Sequence, residues 1–426
     1  YALDVTDRSA PTMKFKIEGG SGDFTKLGQT WSRMTVAKVK FNGQPRFVLF
    51  FAGGYDTNQD GNDTAEVDTI GNAIYMVDAT TGKRLWWASN EDADLNIDHM
   101  VNSIPANISV VDITGDGFSN YLFAADTGGR VFRIDLNQAN SGAADFAKGG
   151  MIASLAGTEN TNNRRFYNKP NVALVKDKLY GDYLTIAIGS GHRAHPIYTE
   201  NVENRFYVIK DFSPYHLPPG TDATRYKVKT EAATDKTTLT GSENADPLKL
   251  YNATSLMTAG RQYPTPSLEI LMSNGGGWYV TFGTKGEKVL AESTTFSGAI
   301  IFTTFSPTGG LNTNSCGPDT GSSRIYALDQ KWATATIDLD GDGDLDNDDA
   351  TKVLAHSGIA PRPVIIYRKT GGKTIAIGTE TIDDDRFEQK ESSDTCAADG
   401  TCAQQVKKCE TNNCYVQPIY WRQNED

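Results

Sequence analysis

Short runs of β-branched and aromatic residues, each ended by Gly, Asn or Asp, recur along the whole of this chain, with little helical periodicity between them. Strands are expected at Thr35–Phe41, Arg46–Ala52, Ala73–Asp78, Tyr121–Ala125, Arg130–Ile134, Tyr183–Gly189 and Arg205–Ile209. Further ones are expected at Gly277–Phe282, Ala299–Phe305, Ser323–Leu328, Val364–Tyr367 and Thr374–Gly378. So many short strands without crossover helices argue for an all-β sandwich, barrel or propeller.

An internal repeat chooses among these. A strand, an Asp, a turn containing Gly and a second strand recur from Tyr75 through Asp78 and Gly82 to Trp86, and from Ala125 through Asp126 and Gly129 to Asp135. They recur again from Tyr326 through Asp329 to about Trp332, and Tyr1-Ala-Leu-Asp4 looks like a truncated first copy. Strand clusters lie roughly 50–60 residues apart, the spacing of four-stranded blades with insertions. The expectation is therefore an all-β, modified β-propeller of about seven blades. In each unit the Asp closes the turn, the Gly supplies a positive φ and the Trp wedges between blades. The polar stretch from Asp211 to about Arg261 reads as a long insertion near 211–261. Residues 1–385 then make the propeller and 386–426 a cysteine-containing tail.

With 426 residues the chain is long enough to bury a large core. Its 41 Lys and Arg against 53 Asp and Glu give a net charge of −12, with much of the acidic excess in Asp/Gly loops and at Asp383-Asp384-Asp385. No basic stripe interleaved with aromatics marks a nucleic-acid surface. No apolar run approaches a membrane span, and no signal-peptide pattern opens the sequence. The start at Tyr1-Ala-Leu-Asp-Val reads as mid-strand, so a piece of a longer protein is expected and the missing targeting segment says nothing.

Two loops carry oxygen-bearing side chains at every second position followed by Gly at the sixth, the pattern by which a short loop wraps Ca²⁺. In the first, the ligands are Asp112, Thr114, Asp116, the Phe118 carbonyl and Asn120. In the second they are Asp338, Asp340, Asp342, the Asp344 carbonyl and Asp346, with Asp349 at position 12. A weaker third copy uses Asp56, Asn58, Asp60, Asn62 and Thr64. The plain alternative is a run of turn-forming residues between strands. It suits the second loop least, because its clustered carboxylates repel one another unless a cation neutralises them. The first loop, with two carboxylates, is expected to bind more weakly.

Four of the five cysteines, Cys396, Cys402, Cys409 and Cys414, crowd into the polar tail, and Cys316 is left over. Two disulfides and an oxidising compartment are the favoured reading, with three connectivities open. Zinc is the competing one, although the spacings suit paired C-x₂₋₄-C poorly.

Val77-Asp78, Thr81-Gly82 and Trp86 resemble the pyrroloquinoline-quinone-type propeller repeat. Asp23-Phe-Thr-Lys-Leu-Gly-Gln-Thr-Trp-Ser32, Phe51-Ala-Gly-Gly-Tyr-Asp56, Val111 to Gly117 running into Ala125-Asp-Thr-Gly-Gly129, Ile188-Gly-Ser-Gly191, Gly277-Trp-Tyr-Val280 and Phe302 to Pro307 together resemble the C-terminal half of the PilC/PilY family. Those proteins are type IV pilus tip-associated adhesins and assembly factors of Gram-negative bacteria, and the similarity runs in order from about Tyr1 to Asp385. The resemblance implies a quinoprotein-like propeller with a calcium loop D-x-[DN]-x-D-G-x-x-[DN], whose occupancy in the family is tied to pilus extension or retraction. Carried over, that loop is Asp112, Thr114, Asp116 and Asn120 with the Phe118 carbonyl. Thr114 and Asn120 both replace residues that usually bring more charge, which weakens the hold on calcium. The loop beginning at Asp338 looks more like a dockerin or EF-hand half-site. The resemblance further implies an extracellular place at the pilus tip, reached through periplasm and outer membrane. It implies minor pilins and host-cell or surface ligands as partners, and roles in adhesion, twitching motility and virulence.

An enzyme is the minority expectation. Quinone- and calcium-dependent dehydrogenases use the same propeller, but the adjacent cysteines they usually carry near the cofactor are missing here. Neither a G-x-S-x-G elbow nor an H-E-x-x-H helix is present, and Gly371-Gly-Lys-Thr374 lacks the upstream Gly of a phosphate loop. His192 and His195 have no third ligand nearby and read as an ordinary exposed loop. A non-catalytic binding and regulatory module is the leading expectation. A purely structural stalk riveted by calcium is the third.

Overall fold

The computed structural model describes residues 1–61, 66–198, 201–222, 224–232, 245–257, 266–307, 321–342, 345–346, 348–367, 373–384 and 415–418. Six sheets stand among these residues, beside the about seven blades expected from the repeat. A two-stranded ribbon, Ala2–Asp4 with Thr12–Phe15, comes first. Blade 1 follows as an antiparallel meander of Thr35–Phe41, Gln44–Ala52, Ala73–Asp78 and Arg84–Ser89, with Leu95–Asn96 added in parallel. Blade 2 is Ser109–Val111, Tyr121–Ala125, Arg130–Leu136 and Ala147–Ser154. Blade 3 is Asn171–Lys176, Tyr183–Gly189, Arg205–Asp211 and Gly277–Thr281, and blade 4 is Thr294–Phe296, Ala299–Ser306, Ser322–Asp329 and Thr351–Val353. Blade 5 has three strands, Val364–Tyr367, Lys373–Ile377 and Glu380–Asp384.

The period of two in a strand explains how the blades stack. In Tyr121–Ala125, Leu122 and Ala124 join Val39, Phe50, Met76 and Trp86 in a core between blades 1 and 2. The alternate residues Tyr121, Phe123 and Ala125 join Leu184, Ile186 and Tyr207 between blades 2 and 3. Blade 3 turns Phe206, Val208 and Trp278 towards Phe302 and Tyr326 of blade 4. The Phe206 and Phe302 rings stack at 3.8 Å. The other face of blade 4, with Ile301 and Ile325, packs on Ile375 and Ile377 of blade 5. Middle strands are therefore buried on both faces, which is why they read as continuous apolar runs.

The first strands of successive blades are tied side by side around a common axis. Ser109 Oγ donates to the carbonyl of Pro170, Asn171 Nδ2 to that of Ser293 at 3.2 Å and Thr294 Oγ1 to that of Pro363 at 2.6 Å. In each case the first residue of one inner strand clasps the residue just before the next. The strand Tyr415–Pro418 pairs with the far part of the blade 3 inner strand, Ala173 to Lys176.

Turn chemistry follows the repeat. Asp78 Oδ1 accepts from the amides of Thr80 and Thr81, both at 2.9 Å, Gly82 has φ +71°, and Trp86 is fully buried between blades 1 and 2. At Gly54, with φ +92°, a Cβ would lie 2.3 Å from the carbonyl oxygen of Gln29, so the Phe51-Ala-Gly-Gly-Tyr55 segment requires glycine there.

The polar excursion after Asp211 is anchored by a buried arginine and returns two short strands. Arg133, fully buried, pairs with Asp135 at 2.6 Å and Asp211 at 2.8 Å, and donates to the carbonyls of Ser213 and His216. Thr230–Glu231 and Lys249–Asn252 then extend blade 3 in parallel, with Leu250 buried. No helix among the described residues is long and apolar enough to cross a membrane.

Candidate metal centre

The loop from Asp338 leaves the last residues of a buried segment. Ile337 and Leu339 enter the core between blades 4 and 5, so the intervening Asp338 is turned outward and Asp340 follows it into solvent. Gly341, at φ +85°, makes the reversal and its amide donates to Asp338 Oδ1 at 2.6 Å. Asp338, Asp340 and Asp342 then bring one carboxylate oxygen each within 4.8 Å of one another. Oxygens that close can share one cation at 2.3–2.6 Å with little adjustment, and hard carboxylate donors are what calcium prefers. The Asp342 amide works to lower the Asp340 pKa, but desolvation and the charges of Asp342 and Asp349 leave it raised. This is the repulsion a bound cation relieves.

Asp349 organises this loop from beneath. It is 1% exposed, and its carboxylate accepts from the amides of Leu339 at 2.7 Å and Asp346 at 2.9 Å. Asp346 in turn accepts from the Asp348 amide at 2.9 Å. Asp344 lies outside the described residues.

The loop from Asp112 joins the first two strands of blade 2. Asp112 accepts from the amides of Gly115 at 2.8 Å and Gly117 at 2.7 Å, and from the Thr114 hydroxyl at 3.2 Å. Asp116 accepts from the Phe118 amide at 2.9 Å, and Asn120 Oδ1 from the Ile113 amide at 2.8 Å. Gly115 and Gly117 both have positive φ. Two carboxylates thus sit in a loop already folded around its own amides, a poorer donor set than at Asp338. Lys38 and Lys40 lie 4.6 and 5.1 Å from the Phe118 ring centroid, adding positive charge beside the loop.

In the third segment Asp56 caps a short 3-10 turn through the Asn58 amide at 3.0 Å and also accepts from the Thr69 amide at 3.1 Å. Asp60 accepts from the Tyr55 hydroxyl at 2.6 Å. These are turn and core roles; Asn62 and Thr64 lie outside the described residues, as do all five cysteines.

Of the histidine pair, His192 departs from the exposed loop expected of it. His192 is only 8% exposed, its ring stacked on Tyr167 at 5.6 Å and its Nε2 3.3 Å from an Arg165 nitrogen. His195 Nε2 lies 3.0 Å from the Asp60 carbonyl. His192 is covered because residues remote in sequence, Tyr167 and Arg165, pack over it. Lys373 and Thr374 lie in a strand of blade 5.

No protein-family model matches the chain, and no curated protein matches it. Among solved structures, the C-terminal domain of Pseudomonas aeruginosa PilY1 superposes with a TM-score of 0.57 at 18% identity, covering 90% of this chain and 77% of that one. A quinohemoprotein alcohol dehydrogenase from Comamonas testosteroni gives 0.31 at 13% identity over 80% of this chain and 39% of its own. A europium-containing methanol dehydrogenase gives 0.29 at 12% over 71% and 45%. The likeness to the PilY1 domain is one of fold; the two dehydrogenases are too distant to carry an argument.

Proposed function

We propose that this chain is the calcium-binding, non-catalytic β-propeller domain of a type IV pilus tip-associated adhesin, supporting pilus biogenesis and biasing extension against retraction. The observation that carries the reading is the shared fold with the PilY1 C-terminal domain over 90% of the chain, in register with the family resemblance of its motifs. The convergence of Asp338, Asp340 and Asp342 supports the calcium part.

Bound Ca²⁺ supplies charge neutralisation and a fixed loop geometry. The residues around each loop connect that geometry to the blades. Asp349, with Ile337 and Leu339, ties the Asp338 loop to the core between blades 4 and 5. The first loop is tied to blade 1 through Ser119, whose amide donates to the Lys38 carbonyl at 2.9 Å. Blade edges at the bacterial surface are then the places where minor pilins, host cells or surface ligands are held, and ordering a loop stabilises one arrangement of those contacts.

Elemental analysis of the purified chain tests the reading first, with one or two calcium ions expected per chain. Replacing Asp340 and Asp342 together by Asn is expected to remove the tighter ion and the calcium-dependent part of the melting temperature, and Asp116→Ala the weaker one. In cells, either change is expected to alter twitching motility. Unchanged metal content in both variants sinks the calcium reading, and normal piliation and adhesion without this domain sink the pilus reading.

A further inference from the structure

Five residues at equivalent places, each two positions before the inner strand of its blade, converge at one end of the propeller axis: Arg33, Asn107, Lys169, Glu292 and Arg362. The Asn107 amide links the first and fourth blades. Its oxygen accepts from the Arg33 backbone amide at 2.7 Å, and its nitrogen donates to Glu292 Oε1 at 3.0 Å. Glu292 Oε2 lies 3.2 Å from Arg362 Nη1 and 3.9 Å from Lys169 Nζ. Two cations therefore face one carboxylate, the charge of Arg33 also acts on Lys169, and Arg33 forms no salt bridge among the described residues. In a chain of net charge −12 this local excess of cations is unusual. A cavity of about 360 Å³ opens here between the inner strands of blades 1, 2 and 3, with Arg33, Asn107 and Lys169 in its lining.

We propose that this axial cavity binds a small anion carrying two or three carboxylate groups. The volume falls in the range of small-molecule pockets. Arg33 and Lys169 line the cavity from blades 1 and 3, and Arg362 of blade 5 stands outside the lining on the other side of Glu292, so an anion with its charge divided among several groups can span them, whereas a compact one meets fewer. Arg33 and Arg362 offer planar forks suited to carboxylates, and Lys169 a point charge. Burial, together with the charges of Arg362 and Arg33, pulls the Lys169 ammonium below its usual pKa range despite the opposing Glu292. A bound anion reverses that imbalance. The inference rests on the axial geometry alone and is independent of the calcium reading.

The test is isothermal titration calorimetry of the whole chain with tricarballylate at low ionic strength and fixed free calcium, with sulfate and acetate in parallel. Saturable one-to-one binding of tricarballylate is expected, with sulfate and acetate weaker. Lys169→Gln and Arg362→Gln are each expected to weaken it by about fivefold or more, as is the exposed Arg33→Gln, which leaves the core untouched. Glu292→Gln is expected to tighten it, because a competing carboxylate is removed. Asp340→Asn leaves it unchanged, which separates this site from the calcium loops. Melting temperatures of the variants verify that each is folded. Absence of saturable binding overturns the proposal, as does Glu292→Gln weakening it, Arg33→Gln leaving it unchanged, or sulfate binding as tightly as tricarballylate.

Discussion

Replacing Arg133 by Met keeps most of the side-chain volume and removes the guanidinium set between Asp135 and Asp211. Taking one partner from a buried ion pair costs about 3–5 kcal/mol, because the charge left behind stays desolvated. Here two buried carboxylates lose the guanidinium, and the carbonyls of Ser213 and His216 lose their donors, at about 1 kcal/mol each if water does not reach them. Part of this is recovered. The Tyr226 hydroxyl still donates to Asp135 at 2.6 Å, and the charge of Lys229 still acts on Asp211. Asp135, which burial raises despite Arg133, can take up a proton. The net expectation is about 4 kcal/mol, a large share of the ~5–15 kcal/mol that holds a domain together. Urea unfolding at neutral pH measures it. The triple variant R133M/D135N/D211N is expected to regain part of the loss, since no buried carboxylate is left without its guanidinium, although buried Lys229 loses the charge of Asp211. The acid limb supplies a second readout. Burial works to raise Asp211, but Arg133 and Lys229 outweigh it and hold the folded pKa below the unfolded one. That contribution is present above the unfolded pKa of about 4 and is lost as pH falls through the folded value. R133M is therefore expected to flatten the acid limb. A single variant within 1 kcal/mol of the parent, or a triple no more stable than the single, refutes the argument.

Trp86→Ala empties the largest side chain between blades 1 and 2 and is expected to cost about 3–5 kcal/mol in the same unfolding experiment. Gly54→Ala combines a positive φ with a Cβ 2.3 Å from a carbonyl oxygen, and a loss of about 2 kcal/mol or more is expected by thermal melting. Asp126 is fully buried, and burial raises its pKa to about 7 against the pull of Arg130. For an acid raised in this way the folded state holds an extra proton between about pH 4 and 7, so its contribution to stability declines as pH rises through that window. Melting temperatures of Asp126→Asn between pH 4.5 and 7.5 are expected to fall less steeply than those of the parent, and parallel profiles would count against the assignment.

How much of this molecule can be read from its residues depends on how local the cause is. Tyr121–Ala125 and Tyr183–Gly189 are found at the expected ends because burial on both faces makes them unbroken apolar runs. The inner strands Ser109–Val111, Asn171–Lys176 and Thr294–Phe296 are not legible in that way. Ser109–Val111 and Thr294–Phe296 are only three residues long, and all three open on a polar residue whose role is to clasp the next blade, so the residue that builds the axis is also the one that hides the strand. The acidic loops stand out in the sequence because their Asp, Asn and Gly residues alternate within a dozen consecutive positions. Even there, the use of Asp349 as a buried anchor for loop amides depends on the fold, since nothing in the spacing sets which carboxylate turns inward. His192 shows the opposite failure: its own neighbours are polar, and the Tyr167 and Arg165 that cover it belong to a different connection. The axial cations are the extreme case. Arg33, Lys169 and Arg362 share no motif, and only their equal offset from three inner strands brings them together. A propeller repeats its backbone while leaving that position free to vary. The axis is thus where chemistry gathers from residues unrelated in sequence, and a search of this architecture for function has to align blades before it reads residues.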